Sequence, residues 1–402
     1  MMTETSNFNF EQCIKCTVCT VYCPVVSVNP IFTGPKQAGP DGERLRLKHR
    51  RFYDETLKYC LNCKRCEVAC PSNVRIGDII QSARITQDRD HVGLRERVLA
   101  NTDLIGTLAS PLAPAVNIAV GLKPVKYAMD KVIGIDHRRI FPKYAFGTFE
   151  SWMKRQSKQQ ATYARQVSFF HGCYVNYNNP QLGKDLVKVM NRLGYGVQML
   201  EKEKCCGVPM ISNGLFEQAK RQGELNMVSI RKSIVEDRRV VLTTSSTCAF
   251  TLRDEYPHLL HIDNSEVRDH IELATRYIYR LLESGAQLRF RQNAPKLRVA
   301  YHTACHMEKL GWSYYSIELL KMIPSVDLVV LDSQCCGIGG TYGFKKENYA
   351  TSQAIGADLF RKIEESGCDV VATDCETCKW QIEMSTSKSV LHPLTILAQV
   401  LE

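Results

Sequence analysis

The residues best suited to chemistry in this chain are cysteines, and two runs of them near the start share one form. Cys13-Ile-Lys-Cys16-Thr-Val-Cys19-Thr-Val-Tyr-Cys23-Pro24 and Cys60-Leu-Asn-Cys63-Lys-Arg-Cys66-Glu-Val-Ala-Cys70-Pro71 both read C-x2-C-x2-C-x3-C-P. Two-residue gaps let three thiolates of one tight loop wrap the corner of an iron–sulfur cubane, with backbone N–H groups facing the sulfurs. The proline closes the loop by fixing φ and removing a donor. Zinc favours C-x2-C pairs with four ligands per metal. A doubled four-cysteine run without a ligating histidine suits iron and sulfide better.

In bacterial ferredoxins such runs serve two [4Fe–4S] clusters, and the fourth cysteine of each run ligates the cluster of the other. That rule assigns Cys13, Cys16, Cys19 and Cys70 to one cluster, and Cys60, Cys63, Cys66 and Cys23 to the second.

A second constellation lies far downstream as His302-Thr-Ala-Cys305, Cys335-Cys336-Gly337 and Cys375-Glu-Thr-Cys378. Each group follows a predicted strand, so the three converge where open α/β sheets bind ligands, at the carboxyl ends of the strands. Adjacent cysteines are awkward as a disulfide but suit two thiolates reaching neighbouring irons, and Gly337 lets backbone approach a sulfur-rich ligand. Five thiols from three loops predict a further cluster. A matching set upstream has Cys173, Cys205-Cys206-Gly207 and Cys248, with Ser245 aligned on Cys375. With four thiols left of five, the expectation there is no standard cluster; a different cluster or a thiol-like substrate are the alternatives.

The elements that must position these groups are repeated. Strand-like runs at Gln166–His171, Tyr195–Leu200 and Arg239–Thr244 recur at Leu297–His302, Val326–Leu331 and Asp369–Asp374. Cys206 to Cys336 and Cys248 to Cys378 are each 130 residues, and Cys173 to Cys305 is 132. Such register marks a duplicated unit. Helical patterns alternate with the strands at Pro180–Leu193, Phe216–Val235, Glu266–Leu282, Glu308–Met322 and Glu347–Glu365, so two α/β domains with parallel sheets are expected. Helices are also expected at Glu43–Tyr59, after a Gly/Pro-rich segment, and at Arg75–Arg89. The predicted organisation is a helical ferredoxin domain over 1–100, a connector over 101–165, a first cysteine-rich repeat over 166–290 and a second over 291–402.

The connector holds Leu104–Leu122, nineteen residues without a charge, followed by ten Lys/Arg against three acids from Lys123 to Arg165. Pro111 and Pro114 are expected to interrupt it, so no transmembrane helix is expected. Two readings stay open: packing against the domains it joins, or a membrane or partner face. The first dozen residues lack a basic and an apolar signal region, so no signal peptide is expected. Eighteen cysteines mostly in metal spacings point to a reducing cytoplasm. The formal charge of +10 is offset by clusters of about −2 each, so nucleic-acid binding is not expected. No flavin or nicotinamide motif is visible, and no catalytic residue is assigned. His302, His306 and His171 are expected to be simply hydrogen-bonded.

Tandem C-x(n)-CCG-x(n)-C-x-x-C repeats behind a two-cluster module resemble the iron–sulfur subunits of the heterodisulfide-reductase type, whose relatives serve glycolate, lactate and glycerol 3-phosphate oxidation. The resemblance is nearest to the subunits of bacterial anaerobic glycerol 3-phosphate oxidation. It runs nearly end to end through Gly34-Pro-Lys-Gln-Ala-Gly-Pro-Asp-Gly-Glu-Arg-Leu-Arg46, Thr244-Ser-Ser-Thr-Cys248, Leu331-Asp-Ser-Gln-Cys-Cys-Gly337 and Thr373-Asp-Cys-Glu-Thr-Cys-Lys-Trp-Gln-Ile382. It implies a non-catalytic electron-transfer subunit that takes electrons from flavin-containing catalytic subunits making dihydroxyacetone phosphate. The acceptor would be the quinone pool, at the cytoplasmic face of the inner membrane, with peripheral membrane contact. It also implies a noncubane [4Fe–4S] cluster on Cys305, Cys335, Cys336, Cys375 and Cys378. The alternative is a lactate, glycolate, disulfide or quinone reductase with catalysis at that cluster.

Overall fold

The computed structural model describes residues 9–49, 52, 54–87 and 92–402. Two four-stranded parallel sheets carry the repeats. β1 (Arg165–Phe169), β2 (Tyr195–Met199), β3 (Val241–Thr243) and β4 (Ile271–Leu273) stand in the order β2-β1-β3-β4. β5 (Leu297–Tyr301), β6 (Val326–Val330), β7 (Val370–Ala372) and β8 (Ser389–Leu391) stand in the order β6-β5-β7-β8. The inner strands are apolar on both faces, as helix-covered parallel sheets require: Val241, Leu242, Val299, Ala300 and Tyr301 are fully buried.

Three expected elements differ. The helix expected over Glu266–Leu282 is a turn at Arg268–His270, then β4, then a helix over Ala274–Glu283. Ile271 and Leu273 fit strand alternation as well as helical spacing, and pairing with Val241 and Thr243 decides the outcome. Glu308–Met322 is two helices, Cys305–Leu310 and Ser313–Lys321, because Gly311 at φ 69° ends the first. The helix expected over Glu43–Tyr59 ends at Lys48, and a 3-10 turn follows at Glu55–Tyr59; residues 50, 51 and 53 lie outside the described residues. The helix expected over Arg75–Arg89 spans Ile76–Gln87, and positions 88 and 89 lie outside the described residues. The Gly/Pro-rich segment before Glu43 is itself helical over 35–41. Its Gly39 sits so near Ile76 that a Cβ would lie 2.9 Å from the Cγ2.

The repeats pack on one another across helices Pro180–Arg192 and Pro393–Val400. Lys188 Nζ donates to the Ala398 carbonyl (2.7 Å) and Thr395 Oγ1 to Asp185 Oδ2 (2.8 Å). Leu186, Met190, Ile278, Tyr301, Leu319 and Leu397 form one shared core. At the centre, Ser246 N–H donates to the Asp374 carbonyl (2.9 Å), so the loop after β3 and the loop after β7 touch.

Thr102–Gly121 is a 20-residue helical stretch of mean hydropathy 1.5, long and apolar enough by length and composition to cross a membrane, and 22% buried. The two prolines do not end it. Pro111 sits in a 3-10 turn at Ser110–Leu112, and Pro114 is the second residue of the helix Ala113–Gly121, where a missing N–H costs little. A further helix, Lys123–Ile133, follows.

Candidate functional site: an array of thiols

The two ferredoxin-type loops share an unusual backbone. Lys15 and Thr17 in the first and Asn62 and Lys64 in the second, at identical offsets, all have φ between 54° and 63°. Left-handed non-glycine residues cost energy and persist where the structure needs them. Here they help curl the chain so that N–H groups meet sulfur: Asn62 N–H donates to Cys60 Sγ (3.5 Å) and Val74 N–H to Cys70 Sγ (3.4 Å). Burial raises the Cys19 thiol, and the thiols of Cys13, Cys70 and Cys16 raise it further. Burial pushes Cys23 up to about 12, with Cys63 and Cys60 adding to it. Cys70 thus stands among the thiols of the first run and Cys23 among those of the second. Thiols so reluctant to ionise must be held by a cation to lose their protons, and a donor set of four sulfurs with inward N–H groups fits a [4Fe–4S] cluster.

The second loop is clamped to both repeats. Asn62 Nδ2 donates to Glu255 of the first repeat (2.7 Å), and Arg65 Nη1 donates to Glu308 and Ser333 Oγ of the second (3.0 Å each). Lys309 pairs with Glu67 at 2.9 Å. Between them Lys64, fully buried, donates to Asp78. Burial alone would lower the Lys64 pKa; the carboxylates of Asp78, Glu67 and Glu255 reverse this and hold it above its ordinary value. The clamp sets Cys63 beside Cys305 and Cys335, near enough to raise both thiols beyond what burial and their own neighbours do. None of these charged residues carries a sequence signal.

The five thiols of the second repeat gather at the ends of β5 and β7. Cys336 Sγ lies 3.3 Å from Cys378 Sγ, and Gly337 N–H donates to Cys335 Sγ (3.4 Å). Gly337 serves the fold as much as the site, because a Cβ there would lie 2.0 Å from the Ser352 carbonyl. His302 corrects an expectation. It is 1% exposed, neither ring nitrogen has a nitrogen or oxygen partner, and it stands against Cys336 and Cys378, all three ligand atoms within 4.8 Å of one another. His306 stacks on Phe250 and bonds the Asn62 carbonyl through Nε2 (3.3 Å), but its Nδ1 has no partner. His171 is hydrogen-bonded as expected, to Gly172.

In the first repeat Cys173 Sγ lies 3.6 Å from Cys205 Sγ, and the Cys206 and Cys248 thiols interact directly. Ser245 and Cys375 occupy the same place, each the N-cap of the helix after the third strand of its repeat. Both thiol sets line one cavity of about 590 Å³. Its roof is apolar: Ile105, Val116 and Val120 of the 102–121 stretch, with Met129 and Phe141. The opposite side of that stretch is exposed at Leu104, Leu108, Leu112 and Ile118.

Comparison with known proteins agrees with this geometry. Residues 9–74 match the model of the 4Fe-4S dicluster domain, and residues 167–253 and 299–383 each match that of the cysteine-rich domain. The corresponding polypeptide of anaerobic glycerol-3-phosphate dehydrogenase from Escherichia coli K12 is 62% identical over 400 residues, covering all of both chains. The chain belongs to the family of iron–sulfur subunits of that dehydrogenase. One of the subunits of the CoM/CoB fumarate reductase of Methanothermobacter marburgensis is 24% identical over 96% of this chain and 70% of that protein. Lactate utilization protein A of Geobacillus kaustophilus is 31% identical over 52% of this chain and 87% of that protein. The Escherichia coli relative and the dicluster domain make this an iron–sulfur electron-transfer protein.

Proposed function

We propose that the chain carries electrons from flavin-bearing catalytic subunits, which oxidise glycerol 3-phosphate to dihydroxyacetone phosphate, to a membrane quinone. One [4Fe–4S] cluster would sit on Cys13, Cys16, Cys19 and Cys70, and a second on Cys60, Cys63, Cys66 and Cys23. A third, noncubane, would sit on Cys305, Cys335, Cys336, Cys375 and Cys378. Such clusters supply one-electron relay with potentials set by charge, hydrogen bonds to sulfur and burial. The observation that carries the reading is the clamp of the Cys63 loop on the second repeat, through Arg65 to Glu308 and Ser333, with Cys63, Cys305 and Cys335 lining one cavity. It favours a route from the ferredoxin module into the second repeat.

The first loop supports an entry point, since Cys16, Ile14, Val21 and Tyr22 are all exposed around it. The exposed Leu104, Leu108, Leu112 and Ile118, followed by Lys123, Lys126 and Lys131, support peripheral seating on an anionic bilayer at the cytoplasmic face. The test is anaerobic mixing with the flavin-bearing subunits. Glycerol 3-phosphate should bleach the clusters of this chain only when those subunits are present, and a lipid-soluble quinone should restore the colour. Bleaching by substrate without partners would sink the electron-carrier reading. The shared cavity favours a second reading, a disulfide or quinone reductase acting there. It requires turnover of disulfide or quinone with a chemical reductant alone.

A further inference from the structure

The place vacated by the fifth cysteine of the first repeat is not vacant of ligand chemistry. Ser245 Oγ stands where Cys375 stands in the other repeat, and it donates to Glu376 Oε2 (2.9 Å) and Oε1 (3.2 Å). Ser245 Oγ also accepts Cys248 N–H (3.2 Å), which fixes it at the helix N-cap. Glu376 comes from the second repeat. The contact between the two central loops, Ser246 N–H to the Asp374 carbonyl, holds it there. Its carboxylate lines the cavity and acts electrostatically on Cys248 and Cys205. The donors to it are the Ser245 hydroxyl and its own backbone N–H, and among the described residues no lysine, arginine or histidine pairs with it. Burial drives this carboxyl towards its neutral form, and a metal bound among the four thiols is what would let it ionise there.

We propose that the first repeat holds an iron–sulfur cluster on Cys173, Cys205, Cys206 and Cys248 whose fifth ligand place, the one Cys375 fills in the other repeat, is taken by the carboxylate of Glu376, lent across the repeat interface and oriented by Ser245. One carboxylate oxygen binds iron while the other keeps the Ser245 hydrogen bond. Transfer of a preassembled cluster onto the site, by exchange of its carrier's ligands, would release the thiol protons and any carboxyl proton with no change of oxidation state. The site is thus a thiolate–carboxylate one, unlike the five-thiol site opposite. The assignment rests on the cluster reading of the second repeat, which Cys375→Ser tests separately.

The experiment is anaerobic purification of the full chain with iron and sulfide analysis and low-temperature EPR, for the parent, C248S, E376Q and the pair E376Q/S245C. Four clusters predict about sixteen irons, and C248S should remove about four of them. E376Q should lose iron or change the spectrum of the first-repeat centre while the signal sensitive to C375S stays. S245C should restore the centre in the E376Q background, because a thiolate then fills the position. About twelve irons in the parent, unaltered by C248S, would overturn the proposal, as would an E376Q protein with the parent's iron content and spectrum. Loss of the C375S-sensitive signal in E376Q, not reversed by S245C, would show Glu376 serving the other site, and would also overturn it.

Discussion

Lys64→Met is the sharpest test of the clamp that joins the ferredoxin module to the repeats. Lys64, Arg75, Lys309 and Arg268 balance Asp78, Glu67, Glu255 and Asp254 in one mostly buried group, four positive against four negative. Asp78 keeps Arg75, and Glu67 keeps Lys309 and the N–H groups of Gly77 (2.9 Å) and Asp78 (3.2 Å). Glu255 keeps only neutral partners, Asn62 (2.7 Å) and Thr251 (3.0 Å). Methionine preserves the stem's packing beside Phe250, whose ring centroid lies 6.0 Å from Nζ, so the loss is one of charge. Removing one partner of a buried pair costs about 3–5 kcal/mol, a large share of the ~5–15 kcal/mol that holds a domain folded. Urea unfolding of the anaerobic holoprotein should show that loss, with hydrogen exchange faster over 60–80 than over the sheets. Adding Glu255→Gln restores the balance to three against three and keeps the Asn62 bond, so roughly half the loss should return. If Lys64→Met stays within about 0.5 kcal/mol of the parent, the group is not an interdependent charge network and the argument fails.

Three further outcomes are expected. Cys375→Ser should abolish one EPR signal and about four irons while the two ferredoxin-type signals remain; unchanged spectra would refute cluster binding in the second repeat. His302→Phe should lower the midpoint potential of that same centre by roughly 40 mV, the equivalent of ~1 kcal/mol in a one-electron couple for the N–H to sulfur bond the ring would give a cluster-bound Cys336 or Cys378 thiolate; a redox titration followed by EPR reads this, and an unmoved potential would show His302 is only filler. Acid should loosen the contact between repeats through His392, which donates through Nε2 to the Thr244 carbonyl (2.8 Å) and accepts Leu394 N–H at Nδ1 (3.0 Å). Burial lowers its pKa below 6.5, against the pull of Asp374. The neutral ring is therefore the folded form, and its stability is present above pH ~6.5 and lost as pH falls below it. His392→Gln should flatten that acid-side slope, measured by chemical denaturation between about pH 5 and about pH 8.

Much of the fold was legible because its signals are periodic. The cysteine spacings and their 130-residue recurrence identify the module and the duplication, since a tight loop around a cluster dictates its own spacing. The inner strands β1, β3, β5 and β7 read out as apolar runs for the same reason. What escaped reading is long-range. β4 and β8 are three residues each and exist because a neighbouring strand pairs with them. Lys64 looks like any lysine inside a C-x2-C gap until Glu255, 191 positions away, comes to face it. Glu376 reads as the first of two spacers between Cys375 and Cys378, and its partner Ser245 reads as a lost cysteine. His302 has the pattern of an ordinary strand-end histidine; only its lack of partners sets it apart.

The two repeats have drifted in opposite chemical directions, and the drift has a consequence for where an electron rests. Around the second site the additions are a fifth thiol and an imidazole whose ring stands within 4.8 Å of the Cys336 and Cys378 thiols. An N–H directed at sulfur stabilises the more negative, reduced cluster and raises its potential. Around the first site the added group is a carboxylate, a hard anionic donor that stabilises ferric iron and lowers the potential. Arg65 and Lys309 tie the ferredoxin loop to the second repeat as Asn62 ties it to the first; on the cluster assignments proposed above, the five-thiol site is the one built to hold the electron. An electron arriving at Cys63 would settle at the five-thiol site and face the common cavity. A second electron would then meet a negatively charged neighbour there. Two centres of unequal potential on one cavity suit an acceptor that takes electrons one after the other, and equal centres would not distinguish the first from the second.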